Sequence, residues 1–288
     1  LSGIAEVVSV LEPGCERSHI RASIKSVPRD PTRAKYFEPP DVMLGFGVAI
    51  MQKALDELRA GRDWTSISNE QKWNAVSNAE LWRVHRVCVR FRTGLQIAWL
   101  ARLALRLSNL TMIEVGKGRH LRFMDQWWLV FAEHEMKGDT VYDRMLHDDL
   151  APWLESYWRE VRPILCHGSS YGGCRTLYTG AALWVTGRGT PQSQQSIRKK
   201  VQELTKKTFK RAISPHWFRD ALATDMAMRD PAHASQASWA LTNAPDTTND
   251  TYNHAGCCPA RLEVARRRAA IRERWRRRKN GEDDATPA

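Results

Sequence analysis

Ser214-Pro215-His216-Trp217-Phe218-Arg219-Asp220 is the stretch on which the reading of this 288-residue chain turns. Ser214 offers a capping oxygen and Pro215 suits the first helical position, where its missing N–H costs nothing, so a helix is predicted to start here. His216 and Arg219, three apart, then share one face at its N-terminal end. Unsatisfied N–H groups and the positive end of the dipole favour an anion there, and Arg219 adds a planar fork matched to two phosphate oxygens. A His-x-x-Arg pair by itself is a weak signal that more often marks a solvated or structural face, so its surroundings must decide.

Upstream lies a long basic helix: residues 197–211 hold seven basic side chains and one acidic. Arg198, Lys199, Lys200, Lys206 and Lys207 are its candidates for tracking a phosphate backbone. Further back, Leu81 to Leu110 repeats apolar residues at helical spacing, densely enough from Gly94 to Leu105 for a buried helix. The period changes between His120 and Lys137, where Trp127, Trp128, Val130 and Phe131 alternate with polar residues before the turn Lys137-Gly138-Asp139, and a short antiparallel sheet is expected. An amphipathic helix is expected from Asp41 and another over Leu150 to Leu165, whereas residues 63–78 and 168–189 read mainly as loops. Downstream, Asp230-Pro231 and Asp246-Thr247-Thr248 mark two more helix starts, the second leading to Tyr252.

Tyr252 stands thirty-three residues past Arg219, in Thr247-Thr248-Asn249-Asp250-Thr251-Tyr252-Asn253-His254. A His-x-x-Arg helix, a second capped helix and a Thr-rich cap before Tyr resemble the C-terminal half of the tyrosine recombinase, or phage integrase, family. Leu103-Ala104-Leu105-Arg106-Leu107-Ser108-Asn109-Leu110 resembles the family's first Arg motif at the end of a buried helix, and Glu135-Met136-Lys137 resembles its hairpin Lys. Leu183-Trp184-Val185-Thr186 with Gly189 is similar to its approach to the His-x-x-Arg helix. The blocks fall in the family's order and cover roughly residues 40–272. The resemblance implies a mainly α fold with a small antiparallel β-sheet, the tyrosine recombinase catalytic-domain architecture.

The implied chemistry needs these residue types. A Tyr phenol can break a DNA strand while keeping the phosphoryl bond as a covalent ester, so resealing needs no ATP. Tyr252 matches the nucleophile, and Arg106 and Arg219 match the two guanidinium groups that clamp the charge gathering on the phosphorus oxygens. His216 matches the proton-handling His and Lys137 the general acid for the departing 5′ oxygen. No metal and no other cofactor is implied, since side chains supply the cations. The bland readings are a hairpin-turn Lys137, a snorkelling Arg106 and a packing Tyr252. Double-stranded DNA is the implied partner, with self-association into a dimer or tetramer on it, the segment after Tyr252 docking on a neighbour.

Two features depart from the family. Nine residues before Tyr252 the family usually has His, less often Trp, and this chain has Asn243, which donates a hydrogen bond but cannot shuttle a proton. His254 is a poor substitute, because residues two apart do not share a helix face. Only about 40 residues precede the catalytic-like region, so residues 1–25 are read as a remnant of the family's N-terminal helical domain, 26–40 as a linker, 41–279 as the catalytic domain and 280–288 as a disordered acidic tail. These departures keep open an integrase-derived DNA-binding protein whose activity is reduced or lost.

Composition limits the alternatives. A chain 42% hydrophobic and 26% charged is globular, and 44 Lys and Arg against 32 Asp and Glu give +12, which suits a polyanion. Charge alone does not choose between nucleic acid and an anionic membrane surface, the weakest reading, supported only by ten basic side chains in residues 261–279. No run approaches a membrane span, the start lacks a secretory pattern, and a reducing, cytoplasmic setting is expected. Cys166, His167 and Cys174 lack the paired spacing of a zinc module. Among the 12 Trp, Trp82, Trp99, Trp153, Trp158 and Trp239 fall in apolar helical patterns and are expected in the core.

Overall fold

A helix running from Asn78 to Leu103 is the centre of the molecule, and every residue from Phe91 to Ala101 on it is buried. A helix buried on all sides has no solvent face, so neighbours enclose it and its few polar side chains, Arg92, Thr93 and Gln96, find partners inside. The computed structural model describes residues 38–61, 63–64, 67, 73–136, 141–169, 175–229 and 241. The expectations for residues 1–37, for Lys137 and for everything after Leu241, Asn243 and Tyr252 included, lie outside the described residues, as does Trp239.

Helix α1 (Pro40–Arg59) packs along the central helix, α2 (Asn78–Leu103), burying Met43, Gly47, Met51, Ala54, Leu55 and Leu58 at spacings of three and four. The two backbones nearly touch at a pair of glycines. A Cβ on Gly47 would lie 2.7 Å from the Gly94 carbonyl oxygen, and one on Gly94 would lie 2.8 Å from that of Gly47. Ser77 caps α2, its hydroxyl accepting from the Glu80 N–H at 3.2 Å.

After a corner at Ala104–Arg106 comes short α3 (Leu107–Met112). Strands β1 (Leu121–Phe123), β2 (Trp127–Phe131) and β3 (Tyr142–Met145) follow as an antiparallel sheet in that order, with Leu121 opposite Leu129 and Val130 opposite Asp143. Trp127, Leu129 and Phe131 are buried and Trp128 and Val130 half-buried, the period of two that the sequence displays. The fold is therefore mainly α with a small antiparallel sheet.

The helix expected over Leu150 to Leu165 divides into α4 (Ala151–Ser156), a wide π turn (Tyr157–Val161) and α5 (Arg162–Cys166). Pro163 has no N–H to return to the preceding turn, which accounts for the local widening. Part of the stretch read as loop-rich is instead a ribbon of β4 (His167–Ser169) and β5 (Arg175–Leu177), His167 opposite Leu177. Helix α6 (Gln194–Phe209) and helix α7 (Trp217–Arg229) follow, with Leu241 the last described residue.

Buried polar bonds fasten the segment before α6 onto the core. Arg92 donates to the Val185 carbonyl, Gln96 to the Gln192 side chain at 2.8 Å, and the Trp184 indole N–H to the Leu110 carbonyl at 2.7 Å. Trp99 is fully buried and meets Trp184 edge-on. Trp82 departs from expectation: its side of α2 faces out and it is 50% exposed. Cys88 and Cys166 are free and buried, and His167 stacks on Trp73 with ring centres 4.2 Å apart. Among the described residues, no helix is long and apolar enough to cross a membrane.

Candidate active site

The corner after α2 begins with Ala104 in the left-handed region, φ 46° and ψ 37°, its N–H returning to the Leu100 carbonyl. A left-handed residue closes a helix and turns the chain aside; an alanine does so at a steric cost that glycine avoids. Arg106 follows in an extended conformation as the residue that starts α3. It thus sits half-buried at a corner, three residues beyond the buried helix whose end the sequence suggests for it.

The Ala104 carbonyl is one of the orphan acceptors at the end of α2. Arg219 of α7 supplies its donor: Nη1 donates to the Ala104 carbonyl at 2.6 Å and Nη2 to the Leu241 carbonyl at 2.8 Å. Only 2% of Arg219 is exposed. Two residues 113 positions apart, Arg106 and Arg219, therefore line one narrow cleft, together with Asn109, Met136, Tyr142 and Leu241.

Met136 brings the hairpin into the same cleft. Asn109, buried on α3, donates through Nδ2 to the Glu135 carbonyl at 2.9 Å and meets the Met136 sulfur at 3.3 Å. The residue preceding Lys137 is thereby tied to the helix that Arg106 starts. Asn109 lies inside the motif quoted for Arg106 without a role of its own there, and its signal is a single amide inside an apolar pattern three residues after Arg106. The turn ahead of it is braced by Glu135, which accepts from the Ala132 N–H at 2.8 Å and pairs with His120 at 2.9 Å. Burial pushes the Glu135 carboxyl up, but these contacts outweigh it and hold it below the usual range.

Tyr142 is buried against the same cleft. Burial raises its pKa against the opposing pull of Arg144, so it keeps its proton at neutral pH.

His216 does not share the helical face predicted for it. Helix α7 starts at Trp217, and Pro215 and His216 form a turn ahead of it, with the Trp217 N–H donating to the Ser214 carbonyl at 3.0 Å and the Arg219 N–H to that of His216 at 3.1 Å. These tight three-residue bonds delay the helix by two positions. His216 is exposed, whereas Arg219, one turn on, points inward.

Helix α6 buries Ile197, Val201 and Thr205, and the Thr205 hydroxyl accepts from the Ile213 N–H at 2.9 Å, fixing the approach to His216. Its basic residues do not form one row. Lys199 and Lys206 form one stripe, while Lys200 and Lys207 form another about 100° round the helix; Arg198 borders the buried face. Arg198, Lys199, Lys206 and Lys207 are exposed, and Lys200 pairs with Glu203 at 2.8 Å.

An ion-pair network holds the ends of three helices beside the corner. Arg102 pairs with Asp149 and, at 3.1 Å, with Asp41; Arg229 pairs with Asp41 at 2.6 Å and with Asp225 at 2.7 Å. The hydrogen bond from Arg229, with the charges of Arg229 and Arg102, holds the Asp41 carboxyl below its usual range despite some burial.

No family model matches the chain, and no curated protein matches it. Among solved structures it is similar to one described as the XerH site-specific recombinase bound to palindromic difH substrate in a post-cleavage complex, with 21% identity and a TM-score of 0.44. That similarity covers 69% of this chain and 52% of the other, so the chain spans about half the length of its match. An overlap this loose does not carry residue roles across.

Proposed function

We propose that this chain is a tyrosine-type, site-specific DNA recombinase that breaks and rejoins strands through a covalent 3′-phosphotyrosyl ester. The observation that carries the reading is the convergence of Arg106, Arg219 and the end of the hairpin leading to Lys137 in one cleft. Two guanidinium groups suit the charge that gathers on the non-bridging oxygens in an in-line attack on a phosphodiester, and Lys137 follows Met136 directly in the sequence. In this scheme the Tyr252 oxygen attacks phosphorus, its proton passing to His216, while the bond to the 5′ oxygen breaks and that oxygen takes a proton from Lys137. Arg106 and Arg219 hold the two non-bridging oxygens as their charge grows. Rejoining is the reverse, with a 5′ hydroxyl attacking the phosphotyrosyl ester, and the bond energy retained in that ester makes ATP unnecessary.

In this reading double-stranded DNA runs past the cleft and along the exposed lysines of α6, and copies of the chain assemble on it as a dimer or tetramer. The test is a nicked suicide substrate, from which the 5′ product escapes. A covalent protein–DNA adduct is expected, absent from Tyr252→Phe; an adduct that persists in this variant removes Tyr252 as nucleophile.

A second reading is a DNA-binding protein of the same descent that no longer cuts. It is favoured by Asn243 in place of His and by the Arg219 fork, whose Nη1 and Nη2 already donate to the Ala104 and Leu241 carbonyls. Under this reading Asn243→His remains inactive on the suicide substrate while duplex binding persists; strand transfer by that variant excludes it.

A further inference from the structure

A groove of about 750 Å³ opens away from the arginine cleft, between the N-terminal half of α2 and the Lys200 and Lys207 stripe of α6. That volume is within the ~300–1,000 Å³ that holds a small organic ligand. Its walls are cationic. Arg90 is neutralised by Glu57 and Lys200 by Glu203, but among the described residues Arg83, Arg86 and Lys207 have no carboxylate partner. Beside them the indole of Trp82, half exposed, forms part of the rim.

Two features select the occupant. The row of positive charge calls for a polyanion, and its Lys207 wall is continuous with the basic helix proposed to follow DNA. An exposed indole adds a flat apolar face that an unpaired base can cover, whereas the bases of an intact duplex are stacked on one another and out of its reach. We infer that this groove binds single-stranded DNA, its phosphates against Arg83, Arg86 and Lys207 and one base stacked on Trp82. The site is separate from strand cleavage and shares with the proposed function only the identity of the partner.

The test is anisotropy of a fluorescein-labelled oligothymidine and of a labelled duplex of equal length, titrated with the whole chain across a salt series. Trp82→Ala is expected to weaken oligothymidine binding roughly tenfold, with Trp82→Phe retaining most of it and duplex binding nearly unchanged. Arg83→Ala/Arg86→Ala should reduce the slope of log affinity against log salt by about 1.4, at about 0.7 for each phosphate no longer neutralised. Arg83 and Arg86 are exposed, so their variant should melt with the parent; Trp82→Phe keeps a ring at the half-exposed position and controls for packing, and the adduct on the suicide substrate should be unaffected in each. Unchanged oligothymidine affinity in both variants overturns the inference, as does an equal loss for duplex and single strand. A poly-glutamate peptide that displaces oligothymidine at equal charge overturns it in favour of an acidic protein partner. Loss of oligothymidine binding in these variants without any phosphotyrosyl adduct leaves the groove standing and removes the recombinase reading.

Discussion

The arginine cleft and the α2–α6 groove are both cationic, and they hold their charge in opposite ways. In the cleft, Arg219 is sealed from solvent and its fork is held by two main-chain carbonyls; in the groove, Arg83 and Arg86 are exposed and have no carboxylate partner among the described residues. A fixed, desolvated guanidinium is selective for one geometry, because little reorganisation accompanies the growth of charge. A solvated one attracts any anion and is weakened by salt. Under the proposed function, the fixed pair would meet a transition state and the solvated row a passing strand.

Breaking the cleft should have the largest effect. Arg219→Ala is expected to lower the cleavage rate on the suicide substrate by about 10²–10³-fold, the range for removing one preorganised donor of this kind. Arg219→Lys should fare little better, because an ammonium cannot span both carbonyls, whereas Arg83→Lys and Arg86→Lys should bind oligothymidine almost as the parent does. If Arg219→Lys cleaves normally, geometry is not what separates the two regions.

The scaffold common to both regions comes next. Gly94→Ala would force its Cβ against the Gly47 carbonyl, an overpacking worth roughly 1–3 kcal/mol, read as a lower urea midpoint with unchanged slope. Asn109→Ala leaves the Glu135 carbonyl without its donor, at roughly 1 kcal/mol, and should slow cleavage while leaving oligothymidine binding intact. A loss of binding in Asn109→Ala would mean that the two regions are coupled through α2.

The smallest effect belongs to Asp41. Its folded pKa lies below the unfolded value, so its contribution is fully present above about pH 4 and disappears as pH falls through the folded value. Asp41→Asn should accordingly flatten the loss of stability as pH falls below about 4, measured as urea midpoint against pH, and change little at pH 7 beyond the loss of its exposed pairs with Arg102 and Arg229.

What the sequence discloses is local. The dense apolar run from Gly94 marks α2 because no other arrangement hides every side, and the alternation through Trp127 to Phe131 marks β2. The capped, proline-led start of α7 is legible to within two residues. Motif order pairs Arg106, Arg219 and the hairpin, yet what joins Arg219 to the corner is the Ala104 carbonyl, and a main-chain acceptor leaves no trace in residue type. Nor does an alanine announce a left-handed corner as glycine would. Trp82 shows the same limit from outside: the helical spacing that buries Trp99 is kept at Trp82, but there the neighbours bury Leu81, Val84 and His85 on the other side of α2 and leave Trp82 50% exposed.

The span of the Arg219 bond also orders events in time. Joining Arg219 to Ala104 closes a loop of 115 residues, whereas α1 and α2 are near neighbours in the chain that bury their apolar faces against each other. Long closures wait on the entropy that short ones have already overcome, so the α1–α2 pair forms early and the cleft is assembled late. On the native side the same ranking runs in reverse: amide protons around Ala104 and Phe218 should exchange with solvent well before those of Leu95 to Leu100.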